Sequence, residues 1–198
     1  NLLWFNWMNG LINQGSSQPL EIEHVWTLEH SDTNSSLMKL FYKSWQKQAQ
    51  LIDPSFYKAL FELYGFRFYW GGVLRIMSDL SLFIGPVFLP SFVSFVENDD
   101  QDVTIGYMYS VILFLAAIVG SWFLCIYYQT VQRVGLRTRS IIYAAIYRKA
   151  LFLSHKGREG LSTGKMVNLM TSDAEAVEQA CAFFHAIWSS IIVIIVCI

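Results

Sequence analysis

Polar and apolar positions are distributed very unevenly along this chain. From Val103 to Gln132 no Asp, Glu, Lys or Arg occurs, and a second charge-free run extends from Gln179 to Ile198. A helix needs about 20 mostly apolar residues to cross a hydrocarbon core, so both runs predict membrane spans. A third apolar stretch, about Phe66 to Val96, carries Arg67, Arg75 and Asp79 in its first half and Pro86 and Pro90 in its second. It also predicts a span, in which the prolines either kink the helix or leave backbone groups for neighbours to satisfy. Beyond the run at 105–132 the helical pattern continues: Val134, Leu136, Ile141, Ile142, Ala145, Ile146 and Leu153 recur among arginines at roughly helical spacing. One helix from about Ile105 to Leu153 would be about 70 Å long, twice the thickness of a hydrocarbon core. The pattern predicts an all-α integral membrane fold with spans at about 66–96, 105–132 and 179–198.

Composition supports this reading. Of 198 residues, 54% are hydrophobic and 15% charged, against about 45–50% and 25% in soluble domains. The shortage of charge excludes an ordinary soluble enzyme, a disordered tail and a disulfide scaffold. The length is one soluble domain's worth, and a last span without a polar terminus suggests a piece of something larger. Cys125, Cys181 and Cys197 are odd in number and lie in apolar stretches, so they read as small packing residues. His24, His30, His155 and His185 have no metal-ligand spacing.

The net charge of −1 conceals an asymmetry. Glu97, Asp99, Asp100 and Asp102 cluster between the first two spans, whereas Val103 to Arg158 holds no acid but includes Arg133, Arg137, Arg139, Arg148, Lys149, Lys156 and Arg158. The positive-inside rule then puts the basic stretch and the N-terminus in the cytoplasm and the acidic loop outside. Lys39, Lys43, Lys47 and Lys58 agree with that orientation, and the sequon at Asn34 would face the cytosol unmodified. Topology and lipid head groups account for the basic run better than nucleic acid does. No secretory signal pattern opens the chain.

Residues 1–53 are less apolar, with an aromatic start at Trp4, Phe5 and Trp7 and a polar linker at Glu29–Ser36, and read as an extended arm without a core of its own. Pro54–Glu62 mixes aromatic and charged residues as a short interfacial helix does. Between the second and third spans, Gly160-Leu-Ser-Thr-Gly164-Lys165 has one residue too few between its glycines for a phosphate-binding loop, and Met166 follows the lysine. The stretch at about 162–171 reads instead as a short helix across the end of a helical hairpin. Ser162 or Thr163 can cap it, and Met166, Leu169 and Met170 give it one apolar face. Ser172-Asp173-Ala174-Glu175 then offers a capping box to the ascending helix. The tip of such a lever suits the groove of another domain; the plain alternative is a solvated loop.

Phe5-Asn-Trp-Met8, Pro19-Leu-Glu21, Ile76-Met-Ser-Asp79, Gly85-Pro86, Gly135-Leu-Arg137, Ala145-Ile-Tyr-Arg-Lys-Ala-Leu151, Thr163-Gly-Lys-Met-Val-Asn-Leu-Met170 and Ile187-Trp-Ser189 together closely resemble subfamily C of the ATP-binding-cassette exporters. These are the multidrug-resistance-associated type, to which the cystic fibrosis channel is related. Gly10 stands where that family usually has proline, and Lys165 where it commonly has glutamate. The resemblance implies a cytoplasmic lasso at 1–53, an elbow helix at 54–62 and part of a type-1 transmembrane domain at 63–198. It also implies a coupling helix in which Thr163, Gly164, Lys165, Met166, Val167, Asn168, Leu169 and Met170 meet a nucleotide-binding domain. The expected partners are the nucleotide-binding domains, the remaining helices and the bilayer. ATP and Mg belong to those domains, and no cofactor or catalytic residue is expected in this chain. Arg75 stands out within the first span: it either faces a substrate cavity, as the resemblance implies for exporters of organic anions, or pairs with Asp79 one turn on. Phe83 and Tyr128 are subordinate cavity candidates. A channel, a channel regulator or a truncated non-transporting fragment is the alternative to an exporter.

Overall fold

The computed structural model describes residues 8–97, 102–153 and 162–197. The aromatic start at Trp4, Phe5 and Trp7, the acids Asp99 and Asp100, the basic residues Lys156 and Arg158, and His155 and Gly160 lie outside the described residues. Among the described residues six α-helices follow in chain order: α1 (Asn9–Ser17), α2 (Asn34–Ala49), α3 (Phe56–Glu97), α4 (Val103–Phe152), α5 (Thr163–Asn168) and α6 (Ala174–Cys197). Single 3-10 turns at Ile22–His24 and His30–Asp32 precede α2, and a π turn at Leu169–Asp173 joins α5 to α6. No strand occurs among the described residues. Among the described residues three helical runs, Phe56–Glu97, Val103–Phe152 and Thr163–Cys197, are long and apolar enough to cross a membrane.

The long helices are ordered by close contacts at small residues. A Cβ placed on Gly71 would lie 2.8 Å from Val131, one on Gly120 would lie 3.0 Å from Ser81, and one on Gly106 would overlap Phe95. Partner numbers on α4 rise as those on α3 fall, so the two helices are antiparallel. Tyr127 donates to the Ala182 carbonyl at 3.0 Å and Arg139 to Glu178 at 2.8 Å, which makes α4 and α6 antiparallel as well. Consequently α6 runs beside α3 in the same direction, with His185 against Phe68 and Ser189 against Arg75. At Gly135 a Cβ would lie 2.9 Å from the Glu178 backbone oxygen, so only glycine lets these two helices approach so closely.

The core lies toward the arm end of the bundle. Leu37 and Phe41 of α2, Ala59, Leu60 and Tyr64 of α3, and Val134 and Ile141 of α4 form its main cluster; Leu74, Tyr127 and Val131 form a second. On α4 the buried residues Tyr127, Val131, Val134, Thr138 and Ile141 recur every three or four positions, the stripe that a helix presents to its partners. Asp102 caps the start of α4, its carboxylate accepting from the Thr104 amide at 3.1 Å.

The helices differ from four expectations. The arm is not extended throughout: α2 buries Leu37, Phe41 and Ser44 on one face, because apolar and small residues recur there at helical spacing. Glu29–Ser36 is no free linker, since Glu29 and Asp32 pair with arginines of α4. The interfacial helix foreseen at 54–62 is the first part of α3, since neither glycine nor proline interrupts 56–64 and Ala59, Leu60 and Tyr64 share the helix's buried face. Likewise α5 is not set apart from α6. Ser162 caps α5, its hydroxyl accepting from the Lys165 amide at 3.2 Å, but Ser172 and Asp173 sit in the π turn and start no new helix. No glycine or proline follows Gly164, so the helix absorbs an extra residue as a π turn instead of breaking. Helix α3 also continues through Pro86 and Pro90.

Candidate functional site

Where α3, α4 and α6 cross, the Gly71-Gly72 pair removes two side chains and admits Val131 from one neighbour and His185 from the other. His185 is almost wholly buried. Its Nε2 lies 3.0 Å from the Phe68 carbonyl, which can only accept, so Nε2 carries the proton. Nδ1 then accepts from the Trp188 indole at 3.1 Å. Both ring nitrogens are thus occupied, and the imidazole is held as one neutral tautomer.

One turn along α3 from this crossing lies Arg75. Its Nε is 3.2 Å from Asp79 Oδ1 and donates to Ser189 Oγ at 3.0 Å, while the Ser189 hydroxyl donates to Asp79. The guanidinium carbon also sits 5.8 Å from the centre of the Tyr127 ring, within cation–π range. The Arg75 and Asp79 side chains are only 17% and 15% exposed. An arginine and a carboxylate at this depth of a membrane helix are expensive unless each holds the other, and such pairs mark functional positions. The spacing of four along α3 brings the two charges together, and Ser189 from α6 closes the triangle.

Of this cluster, Arg75 and Asp79 form one wall of a cavity of about 400 Å³ between α3 and α4. Ser78, Gly120, Ser121 and Leu124 contribute to the rest of its lining, and Ser78 donates to the Gly120 carbonyl at 3.1 Å. Arg75 thus pairs with Asp79 and also lines this cavity. Phe83 is half-buried and Tyr128 is 38% exposed, and neither lines that cavity. The ring over Arg75 belongs to the buried Tyr127 and not to Tyr128, the tyrosine that the sequence suggests. Nothing in the sequence signals Ser189, because its role depends on how α6 is placed against α3.

A second cluster lies at the arm, where arginines whose spacing along the sequence signals topology alone find partners far away in the chain. Arg133 donates to Asp32 at 2.7 Å and also pairs with Glu29; Arg137 pairs with Asp32 and donates to Ser31 at 3.2 Å. Burial works against the charge on Asp32, but hydrogen bonds from Arg133 and Arg137 outweigh it and hold the carboxyl below its ordinary range. Hydrogen bonds from Ser31 and then Arg133 do the same for Glu29. The arm is clasped to the second long helix.

The stretch 163–170 lies at the end of the hairpin. Met166, Leu169 and Met170 are half-buried, whereas Thr163, Gly164, Lys165, Val167 and Asn168 are exposed. The apolar side chain offered outward at this tip is therefore Val167, 53% exposed. Cys125, Cys181 and Cys197 are free thiols.

The family model described as the ABC transporter transmembrane region matches residues 68–198. Among curated relatives, ABC transporter C family member 8 of Dictyostelium discoideum is 38% identical over 190 residues, which cover 95% of this chain and 12% of that protein. ATP-binding cassette sub-family C member 2 of Homo sapiens is 30% identical over 187 residues, covering 94% of this chain and 12% of its own length. ABC transporter C family member 5 of Dictyostelium discoideum is 36% identical over 162 residues, covering 79% and 11%. The chain therefore spans about an eighth of the length of these relatives.

Proposed function

Because this chain belongs to the transmembrane-region family of ABC transporters, of the C-subfamily type, we propose that it is part of the membrane domain of an ATP-driven exporter of organic anions, conjugates or drugs. The observation that carries this reading is the buried Arg75–Asp79–Ser189 triangle at the wall of a cavity between two membrane helices. An anionic group entering that cavity competes with Asp79 for the guanidinium, and the ring of Tyr127 keeps the cation in place while partners exchange. The arm and the tip at 162–171 lie on the cytoplasmic side in this reading. There the tip is a coupling helix that meets a nucleotide-binding domain through Thr163–Met170, with Val167 as its apolar contact. ATP and Mg bind in that domain, outside this chain.

The test uses the full-length protein in inside-out vesicles. ATP-driven uptake of an anionic conjugate should fall in Arg75→Ala by about tenfold, the effect of losing one charge-assisted contact, and uptake of a neutral compound should fall much less. Equal loss of both would assign Arg75 to the Asp79 pair alone. Val167→Asp and Leu169→Asp should retain ATP binding and lose stimulated transport. Normal transport by both variants would remove the coupling assignment, and ion currents without ATP-driven uptake would replace the exporter with a channel.

A further inference from the structure

Of the two longest helices, α3 carries Pro86 and Pro90 in its interior, whereas α4 has no proline. Proline has no amide hydrogen, so the Leu82 carbonyl lacks its usual donor at Pro86, and the Pro86 carbonyl lacks its donor at Pro90. Positions four apart share a face, so both missing bonds weaken the same side of α3. The preceding serines are committed elsewhere: Ser81 donates to the Met77 carbonyl at 2.9 Å and Ser78 to the Gly120 carbonyl at 3.1 Å. Gly85 stands in the same stretch. A Cβ on Gly71, Gly106, Gly120 or Gly135 would lie 3.0 Å or less from another helix, but one on Gly85 would meet nothing within 4 Å. Close packing therefore accounts for those glycines and not for Gly85, which gives the backbone freedom where two hydrogen bonds are already missing.

The packing of α3 on α4 also changes here. On one side of the stretch Ser78 bonds to Gly120 and Ser81 packs on it; on the other Phe95 fills the notch at Gly106. Between them Leu82 and Gly85 line the cavity of about 400 Å³ opposite Leu113, Ala116 and Ala117. The Phe88 ring reaches that of Tyr109 at 6.3 Å between centres.

We propose that Leu82–Pro90 is a hinge in α3, on which the distal segment up to Glu97 swings relative to α4 and widens or narrows the Arg75–Asp79 cavity. Bending α3 there breaks no ordinary helical bond at the Leu82 or Pro86 carbonyl, whereas bending α4 opposite would break intact ones. Gly85 to Glu97 spans about 18 Å of helix, so a change of about 20°, the size of an ordinary proline kink, moves its end by about 6 Å. That movement parts Phe88 from Tyr109 and Phe95 from Gly106 while Ser78 stays bonded to Gly120. The proximal half is held by Val131 at Gly71 and His185 at Gly72, which confines the motion to the distal segment. The hinge depends on the packing of α3 against α4; its effect on a bound anion rests in addition on the exporter reading.

The experiment uses the full-length protein in nanodiscs, with nitroxide labels attached to a keto amino acid and distances measured by pulsed electron paramagnetic resonance. Labels at Val93 and Val119 report the distal segment against α4, and labels at Met77 and Val111 report the proximal half; all four positions are exposed among the described residues. The Val93–Val119 distances should fall into two populations and the Met77–Val111 distances into one. Combining Gly85→Ala, Pro86→Ala and Pro90→Ala restores two backbone donors and should lower the minor Val93–Val119 population about tenfold, and Pro86→Ala alone about threefold. If the triple variant does not elute as a folded protein, Pro86→Ala carries the test. One narrow Val93–Val119 distance in the unsubstituted protein, two populations that persist unchanged in the alanine variants, or equal splitting of both pairs would overturn the proposal. None of these measurements uses transport, so a failure of the exporter reading in vesicles is seen separately.

Discussion

Asp32 is the residue on which the docking of the arm depends, and its replacement by asparagine provides the sharpest test of that arrangement. Asp32 is 21% exposed at its side chain and holds two arginines at once, of which Arg137 is 9% exposed and Arg133 43%. Asparagine keeps the shape and removes the charge. Arg133 retains Glu29 and water, so its loss is small. Arg137 is left with Ser31 and the peptide surroundings, an unpaired cation in a nearly closed site, and removing one partner of such a pair costs about 3 kcal/mol. That cost shifts the balance between docked and undocked arm by about a hundredfold. Hydrogen exchange on the full-length protein should show it as faster exchange across Asn34–Ala49, with amides in the distal half of α4 unchanged. A double-mutant cycle with Arg137→Met should recover part of the loss, because no buried charge then remains unpaired. Unchanged protection of α2 in Asp32→Asn, or strictly additive effects in the cycle, would refute the clasp.

The same cluster carries a pH dependence of definite sign. Asp32 and Glu29 titrate below their ordinary values in the folded chain, so their contribution is present above about pH 4 and lost as pH falls through the lower folded values. Protection of α2 should be flat from neutral pH to about pH 5 and fall below about pH 4, and Asp32→Asn should remove most of that dependence. At the helix crossing, Gly71→Ala would set a Cβ 2.8 Å from Val131 and should lower the thermal midpoint in detergent, at a cost of about 1–3 kcal/mol typical of overpacking. Gly71→Ala with Val131→Ala should regain most of the loss; no recovery would place the strain elsewhere. Gly135→Ala, whose Cβ would lie 2.9 Å from the Glu178 carbonyl oxygen and 3.2 Å from that residue's Cγ, should be rescued at most in part by Glu178→Ala, which removes the Cγ and leaves the backbone clash, as thermal unfolding of the double variant would show.

The membrane character was legible in the sequence because it is a one-dimensional property. Charge-free runs such as Val103–Gln132 exceed the thickness of a bilayer whatever they pack against. The continuation of α4 past its apolar run was also readable, since Val134, Ile141 and Ala145 keep a helical period among the arginines. Arg75 attracted notice for the same kind of reason, as a charge where charge is costly, and Asp79 four residues on was visible as its local partner. Helix boundaries were less accessible. The interfacial segment at 54–62 and the capping signal at Ser172–Glu175 are local preferences of a few tenths to about one kcal/mol, and burial of Ala59, Leu60 and Tyr64 or a π turn at Leu169–Asp173 overrides them.

What only the tertiary structure decided are the pairings between residues far apart in sequence. Asp32 with Arg133 and Arg137, Ser189 with Arg75 and Asp79, and His185 with Phe68 each depend on the relative rotation of two helices. Rotation within a bundle is set by close-packed contacts, here at Gly71, Gly72 and Gly135. Those glycines are visible in the sequence as residues, but what each makes room for is not. Solvent selects the helices by composition summed over twenty residues, whereas the site is selected by fits of a few tenths of an ångström between particular side chains. For this reason the chain alone told where the membrane helices lie, and the packing told that the ring over Arg75 is Tyr127 and not Tyr128.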